Sequence, residues 1–378
     1  MEPVFDLNKL ITEVQEKIKN LKHLNIIVAG KTGVGKSTLI NQVFREKLAD
    51  TGIGKPVTTH MRKYTKQDVP LTIYDTKGFE LDAQTQESVS DEIFEVIDRG
   101  AHSKDFNEAI HCIWYCISTA SDRVEQAEID WIKSLAERNR LSEVPIIVIL
   151  TKSYSKKNAA EMKRIIEDEN LDVTQVIPVL AEDFVIDDDI TIKAYNLDRL
   201  IEIMTEVLPE ELLNSLHNVQ IVNLEEKKKR AQAIVAGAAT ATACEGATPI
   251  PFSDSFLMIP TQVGMIAGIT AVYGMEINSG IILTLLTSVL GSGSATFAGK
   301  AIVSGLLKLI PGAGSVAGGV ISAATGAALT TAIGELYILI ADAIARGEIS
   351  KDELNTKEGK EKIKQMVREN GISVISKK

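Results

Sequence analysis

Eight residues, GKTGVGKS from Gly30 to Ser37, set three glycines, a lysine and a hydroxyl at fixed spacing. Glycine lets backbone wrap closely round an anion with its N–H groups turned inward. Lysine adds a point charge, and a serine hydroxyl is a hard oxygen ligand suited to a divalent cation. The apolar run LNIIVA (24–29) before the loop predicts a strand, and the apolar-periodic residues after it predict a helix that starts near Gly35. The positive end of that helix would add to the anion site. In this strand–loop–helix context, G-x-x-x-x-G-K-[ST] predicts a cradle for the phosphates of a nucleoside triphosphate, with Lys36 reaching the β- and γ-phosphates and Ser37 ligating Mg²⁺.

A second metal group is expected from an acid at the end of a buried strand. LTIYDTKG (71–78) supplies Asp75, which would hold the ion through water, and Gly78, whose N–H would sense the γ-phosphate. Between the two motifs lies GKPVTTHMRKY, in which Thr58 or Thr59 would complete the Mg²⁺ shell; the residues leave the choice between them open.

These groups must be carried by a sheet. Residues 24 to about 180 alternate strand-like runs (LNIIVA, RKYTKQD, LTIYD, IHCIWYCI, PIIVILT, TQVIPVL) with segments of helix length such as Gln84–Gly100 and Val124–Arg140. That alternation predicts an α/β domain with a mixed, mostly parallel sheet and helices on both faces. The second and third runs are separated only by a short step and predict an antiparallel hairpin. Cys112 and Cys116 lie in a buried strand and, with Cys244, offer neither a disulfide framework nor a zinc spacing; they read as core packing in a reducing cytoplasm.

Composition divides the 378 residues. The expected plan is an N-terminal amphipathic helix (1–22), too charged for a signal peptide; a nucleotide-binding domain (23–218); a charged helical linker (219–230) ending in EEKKKR; an apolar all-α, Gly/Ala-rich domain (231–345); and a polar C-terminal helix (346–378). Sixteen of the 26 glycines and only seven charged residues fall within 231–345. Three stretches there, 255–275, 277–299 and 309–334, are free of charge and long enough to cross a bilayer. Small-xxx-small pairs at Gly264–Gly268 and Gly314–Gly318 allow close helix contact, and EEKKKR would suit an anionic membrane surface. The same composition suits a soluble bundle whose small residues let helices touch. The net charge of −10 argues against nucleic acid as a general partner.

Taken together, GKTGVGKS, the threonines of PVTT and DTKG resemble the first three motifs of the translation-factor-like GTPases, especially the Era-like and septin- or AIG-like branches, over residues 24 to about 185. The resemblance implies GTP/GDP and Mg²⁺ as cofactors. It implies a nucleotide-holding set of Gly30, Lys31, Thr32, Gly33, Val34, Gly35, Lys36, Ser37, Thr38, Thr151, Lys152 and Ala181, and a hydrolytic set of Lys36, Thr58, Thr59 and Gly78. Thr151 and Lys152 fall where the family reads the base with [NT]-K-x-D, and Ala181 where a backbone N–H meets the base carbonyl. Two residues depart from the pattern. Tyr154 replaces the base-reading aspartate, and a phenol cannot supply both of its hydrogen bonds. Phe79 stands where Ras-like members carry the glutamine that orients the attacking water, which implies slow turnover until a partner or a second copy completes the site. Gly33 stands where potassium-activated members carry asparagine, and Lys31 is an added cation acting in cis, across a dimer, or simply solvated.

The phrases TPIPFSDSFLMIPTQVGMIAGITAVYGM and KLIPGAGSVAGG resemble the tail of bacterial YcjF-like proteins, a domain of unknown function, over about residues 230–345. The expected function is thus a slow GTPase, acting as a switch or mechanical device, with its tail engaging membrane or a protein partner. Its G domain is open to homodimerisation, and its location is cytoplasmic or at the inner membrane face. The alternatives are a ribosome- or RNA-associated Era-like GTPase and a binding-only pseudo-GTPase.

Overall fold

The computed structural model describes residues 19–44, 55–66, 69–76, 83–245 apart from 122 and 188, 254–275 and 323–350, with scattered positions on either side. Gly78, Phe79, the stretch 277–299 and the Gly314–Gly318 pair lie outside the described residues, as do most of 1–22 and most of the C-terminal segment. The chain divides into two compact units, residues 21–223 and residues 1–20 with 224–378.

The first unit is built on a seven-stranded sheet in the order β2-β3-β4-β1-β5-β6-β7. Its strands are β1 (Leu24–Ala29), β2 (Lys55–Pro56), β3 (Met61–Thr65), β4 (Leu71–Thr76), β5 (Cys112–Ser118), β6 (Ile146–Thr151) and β7 (Gln175–Pro178). The β4-β1-β5-β6-β7 block is parallel. β2 and β3 extend it antiparallel, with β3 and β4 forming the expected hairpin. The sheet is therefore mixed and mostly parallel. The central strands are continuous apolar runs because helices cover both faces: every residue of β1 and β6 is buried.

Alternation sorts those side chains. Ile26, Val28, Ile73, Trp114 and Ile149 share one core with α1 (Lys36–Val43), α5 (Leu197–Val207) and α6 (Glu210–Val219). Ile27, Ala29, Tyr74, Tyr115 and Val148 share the other with α2 (Ala83–His102), α3 (Gln126–Asn139) and α4 (Lys156–Asp168). Cys112 and Cys116 are fully buried in the first core, where burial pushes both thiols up to about 12. β1 lies between β4 and β5, so the chain's crossovers diverge at its carboxyl end. That is the position at which open α/β sheets form a crevice.

In the second unit, α7 (Leu224–Glu245), α8 (Asp254–Tyr273) and α9 (Ala323–Ala345) enclose a third core of residues that include Val235, Met265, Ile269, Tyr337 and Ile338. Glycine sets the spacing at two crossings. A Cβ on Gly268 would press on Ile234 at 3.2 Å, and one on Gly334 would collide with Val235 and Met265. Polar side chains inside the bundle pair with each other: Thr270 Oγ1 and Tyr337 Oη lie 2.7 Å apart, and Gln262 donates to Thr330 at 3.2 Å. Among the described residues, no helix is long and apolar enough to cross a membrane.

Candidate functional site

The phosphate loop leaves β1 at Gly30, whose φ is 141°, and turns through Gly33 (73°) and Gly35 (102°), a region costly for other residues. Gly30 has a second reason to lack a side chain: a Cβ there would strike the carbonyl oxygen of Cys116 on β5. Gly35 caps α1, and its carbonyl accepts the first helical bond from Leu39 at 3.0 Å. Val34 is buried, Thr32 and Gly33 are exposed, and Thr38 is half-buried on the first turn of α1 beside the exposed Ser37.

Lys36 folds back over the loop. Its ammonium donates to the carbonyls of Gly30 (2.8 Å) and Lys31 (3.0 Å), and the residue is only 8% exposed. Burial lowers its pKa, and the nearby Asp75 opposes that shift. Asp75, the next-to-last residue of β4, is in register with Val28 of β1, on the α1 side of the sheet by alternation with Ile73. Burial raises its carboxyl from 3.8 to about 6, against the opposing pull of Lys36 and Arg62. Its Oδ1 is buried with no hydrogen-bond partner among the described atoms. A solvent-excluded carboxylate oxygen that the chain leaves unpaired, close to a buried lysine, is a site that calls for a cation.

The base side of the site is tied to the phosphate loop directly. Thr151 Oγ1 donates within a pair of acceptors, Val34 O and, at 3.1 Å, Ile117 O. Side-chain atoms of Thr151 and Lys152 come within 3.8 Å of the space beside Gly35. Lys152 has a φ of 53°, and its carbonyl accepts the Thr119 hydroxyl at 2.9 Å. Tyr154 packs against Phe184 with the rings tilted by 35° and their centroids 4.1 Å apart. Phe184 opens a short antiparallel hairpin of β8 (Phe184–Asp187) and β9 (Ile190–Ile192), a pair not among the expected strands. Ala181 leads into this hairpin and packs against the α1-side core. Tyr195, just beyond the hairpin, anchors it by donating to the Ser153 carbonyl at 2.8 Å.

Two placements were not foreseeable from motifs. Lys31 is bound to carboxylates at the start of α3, Glu125 at 2.9 Å and the buried Glu128 at 3.6 Å, partners that no motif pointed to. Thr58 hydrogen-bonds Glu92 of α2, while Thr59 is exposed on the same turn. The structure thus gathers Lys36, Asp75, Thr151 and Lys152 around the loop, and it holds Thr58 to a different helix. Glu92, His60, Glu125, Glu128 and Phe184 carried no sequence signal, because each acts through a partner distant in the chain.

A mostly parallel sheet with a phosphate loop at its switch point, an acid on the neighbouring strand and a threonine–lysine loop on the base side defines a GTP-binding G domain of the P-loop GTPase class. Residues 25–152 match the family model described as a 50S ribosome-binding GTPase, and residues 214–370 match a domain of unknown function, DUF697. The two matches fall in the expected order, a GTPase domain first and the domain of unknown function after it. Septin-12 of Homo sapiens is 25% identical over 205 residues, 47% of this chain and 56% of the septin. GTPase Era of Pseudomonas fluorescens is 27% identical over 192 residues, 49% of this chain and 55% of that protein. GTPase Der of a Jannaschia species is 41% identical over 74 residues, 19% of this chain and 15% of that protein. The chain spans about half the length of the septin and Era relatives it matches.

Proposed function

We propose that the protein binds GTP with Mg²⁺ and hydrolyses it slowly to GDP, as a switch or mechanical GTPase whose helical domain engages a membrane or a protein partner. The observation that carries the reading is the unpaired, buried Oδ1 of Asp75 on the strand beside the phosphate loop, with Lys36 close by. The oxygen donors at hand, Ser37 Oγ and the Asp75 carboxylate, suit a hard divalent ion. When bound, Mg²⁺ would offset phosphate charge. The chain's own groups do the rest: Gly30–Gly35 backbone wraps the phosphates, Lys36 exchanges two carbonyl contacts for phosphate oxygens, and Lys152 packs along the base.

The ribosome-binding description and the Era likeness belong to those proteins. Residues 231–345 offer two lysines against five acids, which gives RNA little to hold. The helical domain supports attachment rather than spanning, since its described helices bury one another's apolar faces and pair their polar side chains inside. We place the protein in the cytoplasm or at the inner face of the membrane.

Calorimetry with GTP and GDP, followed by a turnover assay, tests the core of this reading. Wild type should bind both nucleotides and release phosphate, and Lys36→Ala should lose triphosphate affinity by at least about a hundredfold, as expected for a charge-assisted contact. Equal affinities for the two proteins would overturn the phosphate-loop assignment. Tight binding without turnover under any condition would leave a binding-only protein.

A further inference from the structure

One carboxylate on α2 collects three hydrogen bonds from the turn that precedes β3. Glu92 Oε2 accepts the Thr58 hydroxyl and the His60 amide, the latter at 3.0 Å, while His60 Nδ1 lies 2.9 Å from Oε1. The Glu92 side chain is 13% exposed, so these bonds are largely shielded from water. The turn is also closed on itself. The amides of Val57 and Thr58 donate to the Met61 carbonyl at 2.9 and 3.4 Å, and the Met61 amide returns to Thr58 Oγ1 at 3.1 Å. Val57 and Met61 pack into the core on the α2 face of the sheet. Asp75 alternates with Tyr74 onto the other face, where α1 and Ser37 are.

We infer that Glu92 is a positioning residue that latches residues 57–61 in a resting arrangement, and that Thr58 must leave Glu92 for its hydroxyl to join Ser37 and Asp75 around a triphosphate-bound metal. The inference rests on the proposed nucleotide site and adds to it a restraint that only the triphosphate state has to break. A ligand that needs the released turn is weakened by the latch equilibrium, and a ligand indifferent to the turn is not. GDP, which lacks the γ-phosphate, belongs to the second kind.

The test compares wild type, Glu92→Ala and Glu92→Gln in the full chain, with two readouts. In nucleotide-free protein, amide exchange at His60 and Met61 should be faster in Glu92→Ala and intermediate in Glu92→Gln, which keeps one acceptor oxygen. In calorimetry with Mg²⁺, affinity for a non-hydrolysable GTP analogue should rise about five- to twentyfold in Glu92→Ala, the size of one or two net hydrogen bonds, while GDP affinity stays within about twofold. Adding Thr58→Val to Glu92→Ala should erase the gain. Unchanged amide exchange would overturn the latch. So would analogue and GDP affinities that shift together, which would mark Glu92 as general support for the fold. A gain that survives Thr58→Val would overturn the role of Thr58. Should Glu92→Ala fail to fold, the Glu92→Gln series carries the same comparison. A wild type that binds no nucleotide would sink the proposed function instead, and the exchange readout would still decide whether the latch exists.

Discussion

Replacing Asp75 by asparagine should stabilise the nucleotide- and metal-free G domain while weakening Mg²⁺-dependent nucleotide binding. Burial lifts the Asp75 carboxyl from 3.8 to about 6, even though Lys36 and Arg62 pull it down. An acid whose folded pKa exceeds its unfolded one keeps a proton in the native state that the unfolded chain has already released. Native stability therefore falls as pH rises from about 4 to about 6, and the cost levels off above that. Two pKa units at about 1.4 kcal/mol each set a ceiling of about 3 kcal/mol. Residual exposure of the side chain screens the charge, so about 1–3 kcal/mol is the expected range at pH 7. Asparagine keeps the shape and removes the ionisation.

The assay is urea unfolding followed by tryptophan fluorescence. Both tryptophans, Trp114 and Trp131, are buried in the G domain, so the signal reports that unit and not the helical one. The gap between Asp75→Asn and wild type should be near zero at pH 4, open through pH 5 and 6, and stay constant at pH 7. Taking the difference matters. His111, pushed down to about 4 by burial, works in the opposite direction and loses its stabilising effect as pH falls below about 6.5, but it does so equally in both proteins. A variant less stable than wild type at pH 7 would refute the reasoning, since it would show that Lys36 and Arg62 stabilise the carboxylate by more than burial costs. A gap that does not vary with pH would refute it too.

The remaining expectations concern the base, the helical domain and the membrane. Tyr154→Asp should raise the GTP/ATP affinity ratio at least about tenfold, because a carboxylate can accept two ring N–H bonds worth roughly 1.5–3 kcal/mol each; an unchanged ratio in competition calorimetry would show that another segment reads the base. Gly334→Ala should speed amide exchange in α7 and α9, since the added methyl meets Val235 and Met265 and overpacking costs about 1–3 kcal/mol. Gly237→Ala should slow that exchange, because nothing lies within 4 Å of its new methyl and helix propensity gains about 1 kcal/mol; effects of the same sign would contradict the packing argument. Full-length protein should float with anionic liposomes more with a GTP analogue than with GDP, and flotation at background in both states would leave only a protein partner for the helical domain.

What could be read from the sequence was whatever is local. A strand, a turn of glycines and the first turn of a helix occupy consecutive residues, so Gly30–Ser37 declared both its conformation and its ligand class. Asp75 was legible because an acid ending a continuous apolar run is costly unless something uses it. The charged segment before residue 231 shows the limit of composition. The expected linker ends where the apolar tail begins, but EEKKKR and the alanines after it all favour helix, and α7 runs through that step from Leu224 to Glu245. The segment FVIDDDITI hid its hairpin because Val185, Ile186 and Ile190 are exposed, so no alternation marks a buried face.

The same reasoning explains why the threonine pair stayed undecided. Thr58 and Thr59 are adjacent and chemically alike, and nothing local in the sequence shows that a glutamate 34 residues away holds Thr58. Glu92 sits in an ordinary amphipathic helix, where an exposed acid is the default and a paired one looks no different. The distinction arises when α2 packs on Ile27 and Ala29 and so sets Glu92 over the end of β3. A residue that restrains a switch must belong to the element the switch leaves. It therefore sits on the opposite side of the sheet from the groups that hold the nucleotide, outside every phosphate-binding motif. The latch was illegible for that reason, and the same separation lets a variant at Glu92 change triphosphate affinity without touching the phosphate loop.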